Sequence, residues 1–135
     1  MLTLNKKARE EIIGHCLRSS PNEACGILAG RDSKVEKVYE MANAEASPET
    51  FLMDPKEQLK VMKEMRVLGL EMAAIYHSHV ASEARPSSRD IELALYPDAS
   101  YLIVSLKDRK NPSLRSFKIV EGKVKEEEVK IVDSL

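Results

Sequence analysis

Residues 77–79 read His-Ser-His, and a serine at 87 is followed three positions on by an aspartate at 90. Imidazole and carboxylate are the side chains that hold a divalent ion of intermediate softness, so the question is whether the chain can bring these together. On an extended strand successive side chains alternate faces; His77 and His79 therefore point the same way, about 6 to 7 Å apart along the strand. Asp90 falls in the first turn of an expected helix, and the loop between is long enough to swing its carboxylate back. Two histidines and one carboxylate make a three-ligand set with the fourth tetrahedral position left for water, the arrangement of a catalytic zinc site and not of a structural one. The same Ser87 and Asp90 have a plainer explanation, because Ser-x-x-Asp ahead of Ile91 is also a helix capping box. The two explanations are compatible.

Hydrolysis at such a site needs one more group. Water on zinc ionises near neutral pH, yet a carboxylate must take its proton and pass it to the departing amine. Glu23, at the head of "EACGILAG", is the candidate. From its position alone it reads as an ordinary charged residue after a helix stop.

The elements that must position these groups follow from periodicity and punctuation. Asn5 reads as the N-cap of a helix over residues 5–19, with Leu4, Ala8, Ile12, Ile13, Cys16 and Leu17 on one face and Ser19, Ser20 and Pro21 as its stop. "EACGILAG" is a buried strand, "GRDS" a turn, residues 35–41 a second strand and "NAEASPET" a loop. Asp54, Pro55 and Glu57 mark the start of a helix that runs to about Gly69 and is expected to bury Leu59, Met62, Met65 and Leu68. "EMAAIYHSH" is an apolar strand ending in the histidines, followed by a polar loop and a helix from about Ser88 to Tyr96. "YLIVSL", "LRSFKIV" and the segment after the Glu121-Gly122 turn are three further strands. Helices interleaved with strands in this order predict a layered α/β fold with a mixed sheet. Without repeats or linkers, residues 1–135 are expected to form a single domain.

Composition narrows the function. The 135 residues carry 21 basic and 22 acidic side chains, interleaved, for a net charge of −1. That balance leaves no footprint for nucleic acid or an anionic membrane, and six aromatic residues without tryptophan offer little for stacking single strands. No apolar run reaches the roughly 18 to 20 residues of a membrane span, and the start "MLTLNKKAREE" becomes charged too early for a secretory leader, so the expected location is the cytoplasm. Cys16 and Cys25 are the two cysteines, without a C-x-x-C pair, which excludes a Cys-rich structural zinc site and makes a disulfide framework unexpected. The run "EGKVKEEEVKIVDSL" fits a solvated strand better than a binding tail.

Taken together, Glu23, His77-Ser78-His79, seven residues, Ser87, two residues and Asp90 resemble the JAMM motif of the MPN-plus zinc metallopeptidases without a departure. The resemblance spans most of the chain. It implies a JAMM/MPN fold, a mixed curved sheet flanked by helices in cytidine-deaminase-like layers. It also implies that His77, His79 and Asp90 bind one zinc ion, that Glu23 is the general base and then the proton donor, and that Ser87 donates to the developing oxyanion. Ser78 faces the other way on the strand and is left out. Cys25 shares Glu23's face and can line the site without being a nucleophile. The stretches "NAEASPETFLMDPKEQLK", "IYHSHVASEARPSSRDIELA", "PDASYLIVSL" and "LRSFKIVEGKV" look like the short prokaryotic Mec-type members.

Those members hydrolyse the amide between the C-terminal glycine of a ubiquitin-like sulfur carrier protein and an added cysteine, releasing cysteine for biosynthesis. The resemblance thus implies a carrier with a Gly-Gly tail as partner, and it leaves a homodimer open. A flexible Gly-Gly tail can pair its backbone along a sheet edge, with "NAEASPET" or "VASEARP" as part of its groove or as plain connections. Two readings compete: an isopeptidase that removes ubiquitin-like modifiers from lysine, and a non-catalytic MPN scaffold, for which intact Glu23 and intact ligands have no chemical use. A zinc deaminase is disfavoured by the missing C-x-x-C.

Overall fold

Local signals set the elements. Asn5 caps α1 (Lys6–Ser19), its side-chain oxygen accepting the Ala8 N–H at 2.7 Å. Asp54 caps α2 (Pro55–Leu68), accepting the Lys56 N–H at 2.8 Å, with Pro55 in the first turn and Gly69 in the left-handed conformation (φ 68°) closing the helix. Asp32 and Ser33, both at positive φ (53° and 61°), form the two-residue turn between β2 (Cys25–Arg31) and β3 (Lys34–Met41). Such turns match the twist of a hairpin. Glu121 and Gly122 do the same (φ 51° and 77°) between β6 (Ser113–Val120) and β7 (Lys123–Glu127).

The computed structural model describes residues 1–134. With β1 (Leu2–Asn5), β4 (Glu71–His79), α3 (Ser88–Glu92), β5 (Ser100–Ser105) and β8 (Val129–Val132), the strands make one mixed sheet in the order β7-β6-β5-β4-β2-β3-β1-β8. β4–β5, β1–β3 and β1–β8 are parallel, and β2–β3, β2–β4, β5–β6 and β6–β7 antiparallel. The register of β2 shifts against both neighbours near Ala29, bulges of the kind that bend a strand.

Alternation along the strands gives two cores. Ile12 and Cys16 of α1 pack with Leu28, Ala74, Tyr76, Leu102 and Val104 on one face. Val61 and Met65 of α2 pack with Ile27, Tyr39, Ile75, Ile103 and Phe117 on the other. The α/β expectation, with helices on both faces of a mixed sheet, is what is observed. No helix among the described residues is long and apolar enough to cross a membrane.

Several details differ from the sequence reading. β1 precedes α1, and the last strand is two, β7 and β8. β1 is four residues long and exists by parallel pairing with β8 from the other end of the chain, Leu2 opposite Val129, a contact that no local pattern encodes. Leu59 and Leu68 are 56% and 46% exposed, while Val61 is buried in their place, because α2 lies on the sheet along a narrow stripe. α3 stops at Glu92, short of Tyr96, and the Tyr96 N–H turns to the Tyr101 hydroxyl at 3.0 Å.

Candidate metal centre

β4 runs through the middle of the sheet and ends in the histidines. Its odd-numbered residues Ile75, His77 and His79 face the α2 and α3 side. α3 begins at a full capping box: the Ser87 hydroxyl accepts the Asp90 N–H at 3.1 Å, and the Asp90 carboxylate accepts the Ser87 N–H at 2.9 Å. Fixed in this way, Asp90 turns its Oδ2 toward the strand end. His77 Nε2, His79 Nε2 and Asp90 Oδ2 form a triangle with all three sides 3.1 Å.

That triangle fits a small tetrahedral ion. Zinc bonds of about 2.0 to 2.1 Å at tetrahedral angles require donors about 3.3 to 3.4 Å apart, so a slight spreading would accommodate it. Proton placement agrees. His79 Nδ1 lies 2.8 Å from the Glu83 carbonyl, which can only accept, so Nδ1 carries hydrogen, and in the neutral ring that a metal requires the Nε2 lone pair points into the triangle. The His77 ring is stacked under Phe51, with centroids 4.6 Å apart, and its Nδ1 has no hydrogen-bond partner among the described residues. Among the described residues, His77, His79 and Asp90 form a group that could hold a metal.

The electrostatics are those of donors crowded out of water. Burial holds His77 below its ordinary pKa, against the opposing pull of Asp90. For His79 burial also lowers the pKa, but hydrogen bonds to Asp90 and the Glu83 carbonyl outweigh it and the net direction is up. Burial pushes the Asp90 carboxyl up, yet its bonds to both imidazoles win and hold it well below the usual carboxylate range.

Glu23 lies two residues ahead of β2. The register pairs Cys25 with His77, and the ladder continues one step further: the Ser78 N–H donates to the Ala24 carbonyl at 3.1 Å, while Ser78 Oγ accepts the Ala24 N–H at 2.8 Å. Continued by one more residue, that register sets Glu23 across from His79, and the charges of His79 and Asp90 act on its carboxyl. Glu23 is 4% exposed. Burial pushes its carboxyl up to about 7, with His79 opposing and Asp90 reinforcing the shift. Cys25 does line this face, but its thiol is buried, faces the Ala42 carbonyl at 3.6 Å, and is pushed up to about 12 by burial, so it stays protonated and inert.

Residues 5–120 match the family described as prokaryotic homologs of the JAB domain. The chain belongs to that family. It is similar to the CysO-cysteine peptidase of Mycobacterium tuberculosis, 44% identical over 124 residues that cover 90% of this chain and 85% of that one. It is also similar to a probable TtuB-protein conjugate cleaving protease of Thermus thermophilus, 40% identical over 114 residues covering 84% of this chain and 72% of that one. The solution structure of a protein from Desulfitobacterium hafniense superposes with a TM-score of 0.91 at 46% identity, covering 100% of this chain and 95% of that one.

Within this JAB domain some features escaped the sequence reading. In strand order the outermost strands are β7 and β8, and among the described residues neither of them runs beside the candidate site at the end of β4. Instead a cavity of about 200 Å³ opens next to His77 and Asp90, lined by Thr50, Phe51 and Met53 from one expected groove segment and its continuation and by Pro86 from the other. Asn43 also went unnoticed. Its amide donates to the carbonyls of Glu23 and Thr50 at 3.0 and 2.9 Å, and its oxygen accepts the Glu45 and Leu52 N–H groups at 3.1 Å each. An Asn opening a polar loop was the available signal. Ser78, set aside because it faces away, positions Ala24 and hence Glu23.

Proposed function

We propose that this chain is a zinc-dependent metallopeptidase that hydrolyses the amide after the C-terminal glycine of a ubiquitin-like sulfur carrier protein and releases cysteine, with residues 1–135 as its single JAMM/MPN-plus domain. The observation that carries the reading is the donor triangle of His77, His79 and Asp90, 3.1 Å on each side, with the buried Glu23 across from His79. Family membership and the named activities of the mycobacterial and Thermus relatives support it.

His77, His79 and Asp90 would hold the ion. Zinc there supplies Lewis-acid polarisation of water and of the scissile carbonyl. Glu23 takes a proton from water as its hydroxyl adds to the glycyl carbonyl carbon, then gives that proton to the nitrogen as the C–N bond breaks. Burial pushes the Glu23 carboxyl above its ordinary range, which suits a group that must both take up and return a proton. Ser87 uses its oxygen to accept the Asp90 N–H and keeps its own hydrogen free for the oxyanion. The cavity beside His77 gives the substrate room.

The deciding experiment is mass spectrometry of a carrier–cysteine conjugate before and after incubation with the protein, with and without chelator. Loss of one cysteine, blocked by chelator, is expected. An untouched conjugate beside cleavage of a carrier–lysine isopeptide would favour the protein-conjugate activity named for the Thermus relative, and cleavage of neither would favour a scaffold.

A further inference from the structure

Arg89 precedes Asp90 in the chain and reaches over to the loop that follows β3, where its Nη2 lies 3.0 and 3.1 Å from the two carboxylate oxygens of Glu45. The two side chains are 46% and 33% exposed. An ion pair that open to solvent adds little to stability, so holding the loop is a weak reason for a guanidinium at this place. Its surroundings suggest another. The loop carrying Glu45 is pinned to Glu23 itself: the Asn43 amide donates to the Glu23 carbonyl at 3.0 Å, and the Glu23 N–H donates to the Ser47 carbonyl at 2.8 Å. Arg89 also lines the cavity together with His77 and Asp90, and its charge acts on the Glu23 carboxyl.

The amine that departs must come within hydrogen-bond reach of Glu23, about 2.6 to 3.2 Å, to collect its proton. When that amine belongs to an amino acid, a carboxylate is attached one carbon away and has to be placed and neutralised close to Glu23, a negative group that would otherwise repel it. Arg89 is the cation alongside. Its planar fork matches a carboxylate, and in this structure a carboxylate already rests on it. A lysine side chain linked through its Nζ carries no such group at that position, its own α-carbon lying at the far end of the methylene chain.

We infer that Arg89 binds the α-carboxylate of the departing amino acid, with Glu45 holding that place until substrate arrives, and that this contact selects a terminal amino acid over an isopeptide. The inference rests on the peptidase reading above and names the leaving-group determinant of that site.

The test uses two conjugates of one Gly-Gly-ended carrier that differ only in the leaving group, cysteine or cysteamine, the latter lacking the carboxylate. The wild-type protein should show a lower KM for the cysteine conjugate. Arg89→Gln should shrink that preference by about 10- to 100-fold, the usual worth of a hydrogen bond to a charged group, and Arg89→Lys should restore part of it. Glu45→Gln frees Arg89 and should lower KM for the cysteine conjugate alone. A pair that merely tied the loop to α3 would instead make both substitutions raise KM for both conjugates, which would overturn the inference. So would an unchanged preference in Arg89→Gln, while leaving the peptidase reading intact. Cleavage of neither conjugate by the wild type removes that reading and the inference together. Should Arg89→Gln fold poorly, the sign of the Glu45→Gln effect decides.

Discussion

Asp90 Oδ2, the oxygen that accepts the Ser87 backbone N–H at 2.9 Å, also lies 3.1 Å from Nε2 of both His77 and His79. One atom thus closes the capping box and completes the donor triangle. α3 has five residues, too few to be stable by its own helical propensity, so the cap does much of the work of aiming Asp90 at the strand end. The structural and metal-site explanations of Ser87 and Asp90 describe one arrangement.

The capping role of Asp90 and its proposed metal role can be separated by substitution. Asp90→Asn keeps an oxygen for the Ser87 N–H but removes the anion a zinc ion requires; Asp90→Ala removes both. Elemental analysis should find zinc lost from both variants, and from His77→Ala. With chelator present and above neutral pH, Asp90→Ala should unfold with about 1 kcal/mol less stability than Asp90→Asn, the ordinary worth of a cap. A full equivalent of zinc in Asp90→Asn would show that this carboxylate is not a ligand.

On the proposed mechanism, Ser87→Ala combines a cap loss with a catalytic loss of different size. Losing the cap should cost about 1 kcal/mol of stability, a shift of a few degrees in Tm. Losing a donor to the oxyanion should cut kcat by about 10- to 1000-fold while zinc stays bound. An unchanged kcat with the same shift in Tm would leave Ser87 with the cap alone.

Glu23→Gln should retain zinc and abolish turnover, and its effect on stability has a definite sign. The Glu23 carboxyl titrates at about 7 in the fold against an ordinary 4.5, so the native state binds this proton more tightly than the unfolded chain does. Stability of the metal-free wild type should therefore fall as pH rises between those values and level off above the upper one. Gln carries no charge to bury. In thermal melts with chelator, the variant should gain on the wild type through that window and remain more stable beyond it. Zinc beside the carboxylate should shrink the gap. Parallel Tm profiles for the two proteins would mean that Glu23 is not strained by burial.

What the sequence made legible was what is written locally. Asn5, Asp54-Pro55 with Gly69, and Ser87 with Asp90 mark helix ends by hydrogen bonds spanning two to four residues, and each was readable. The alternation that sends His77 and His79 to one face is equally local. The position of Glu23 opposite His79 is not. It depends on the β2–β4 register, with Cys25 opposite His77, and on Ser78 tying down Ala24 from 54 residues away. β1 escaped for the same reason, since its partner β8 lies at the other end of the chain. Leu59 and Leu68 misled because an apolar spacing on α2 gives a face, while the sheet beneath it decides how wide a stripe is covered.

The β2–β4 contact that aligns Glu23 with His79 rests on a glycine. Gly26 is the register partner of Tyr76, and a Cβ added to it would lie 2.1 Å from the Tyr76 ring and 2.5 Å from the Tyr39 carbonyl oxygen. Neither neighbour can step aside. Tyr76 is fully buried, with its hydroxyl 2.6 Å from His15 Nδ1, and the Tyr39 carbonyl is backbone of the adjoining β3. Gly26→Ala must therefore push β2 away from its partners one residue from Cys25, and so displace Glu23 relative to the histidines. Overpacking of this kind costs about 1 to 3 kcal/mol, so denaturant unfolding should show a loss at least that large. Activity measured well below Tm and with zinc in excess should fall further than the unfolded fraction explains, because a displaced base is penalised even in folded molecules. Wild-type stability in Gly26→Ala would mean that the strands are not packed this closely, and that the alignment of Glu23 has another origin.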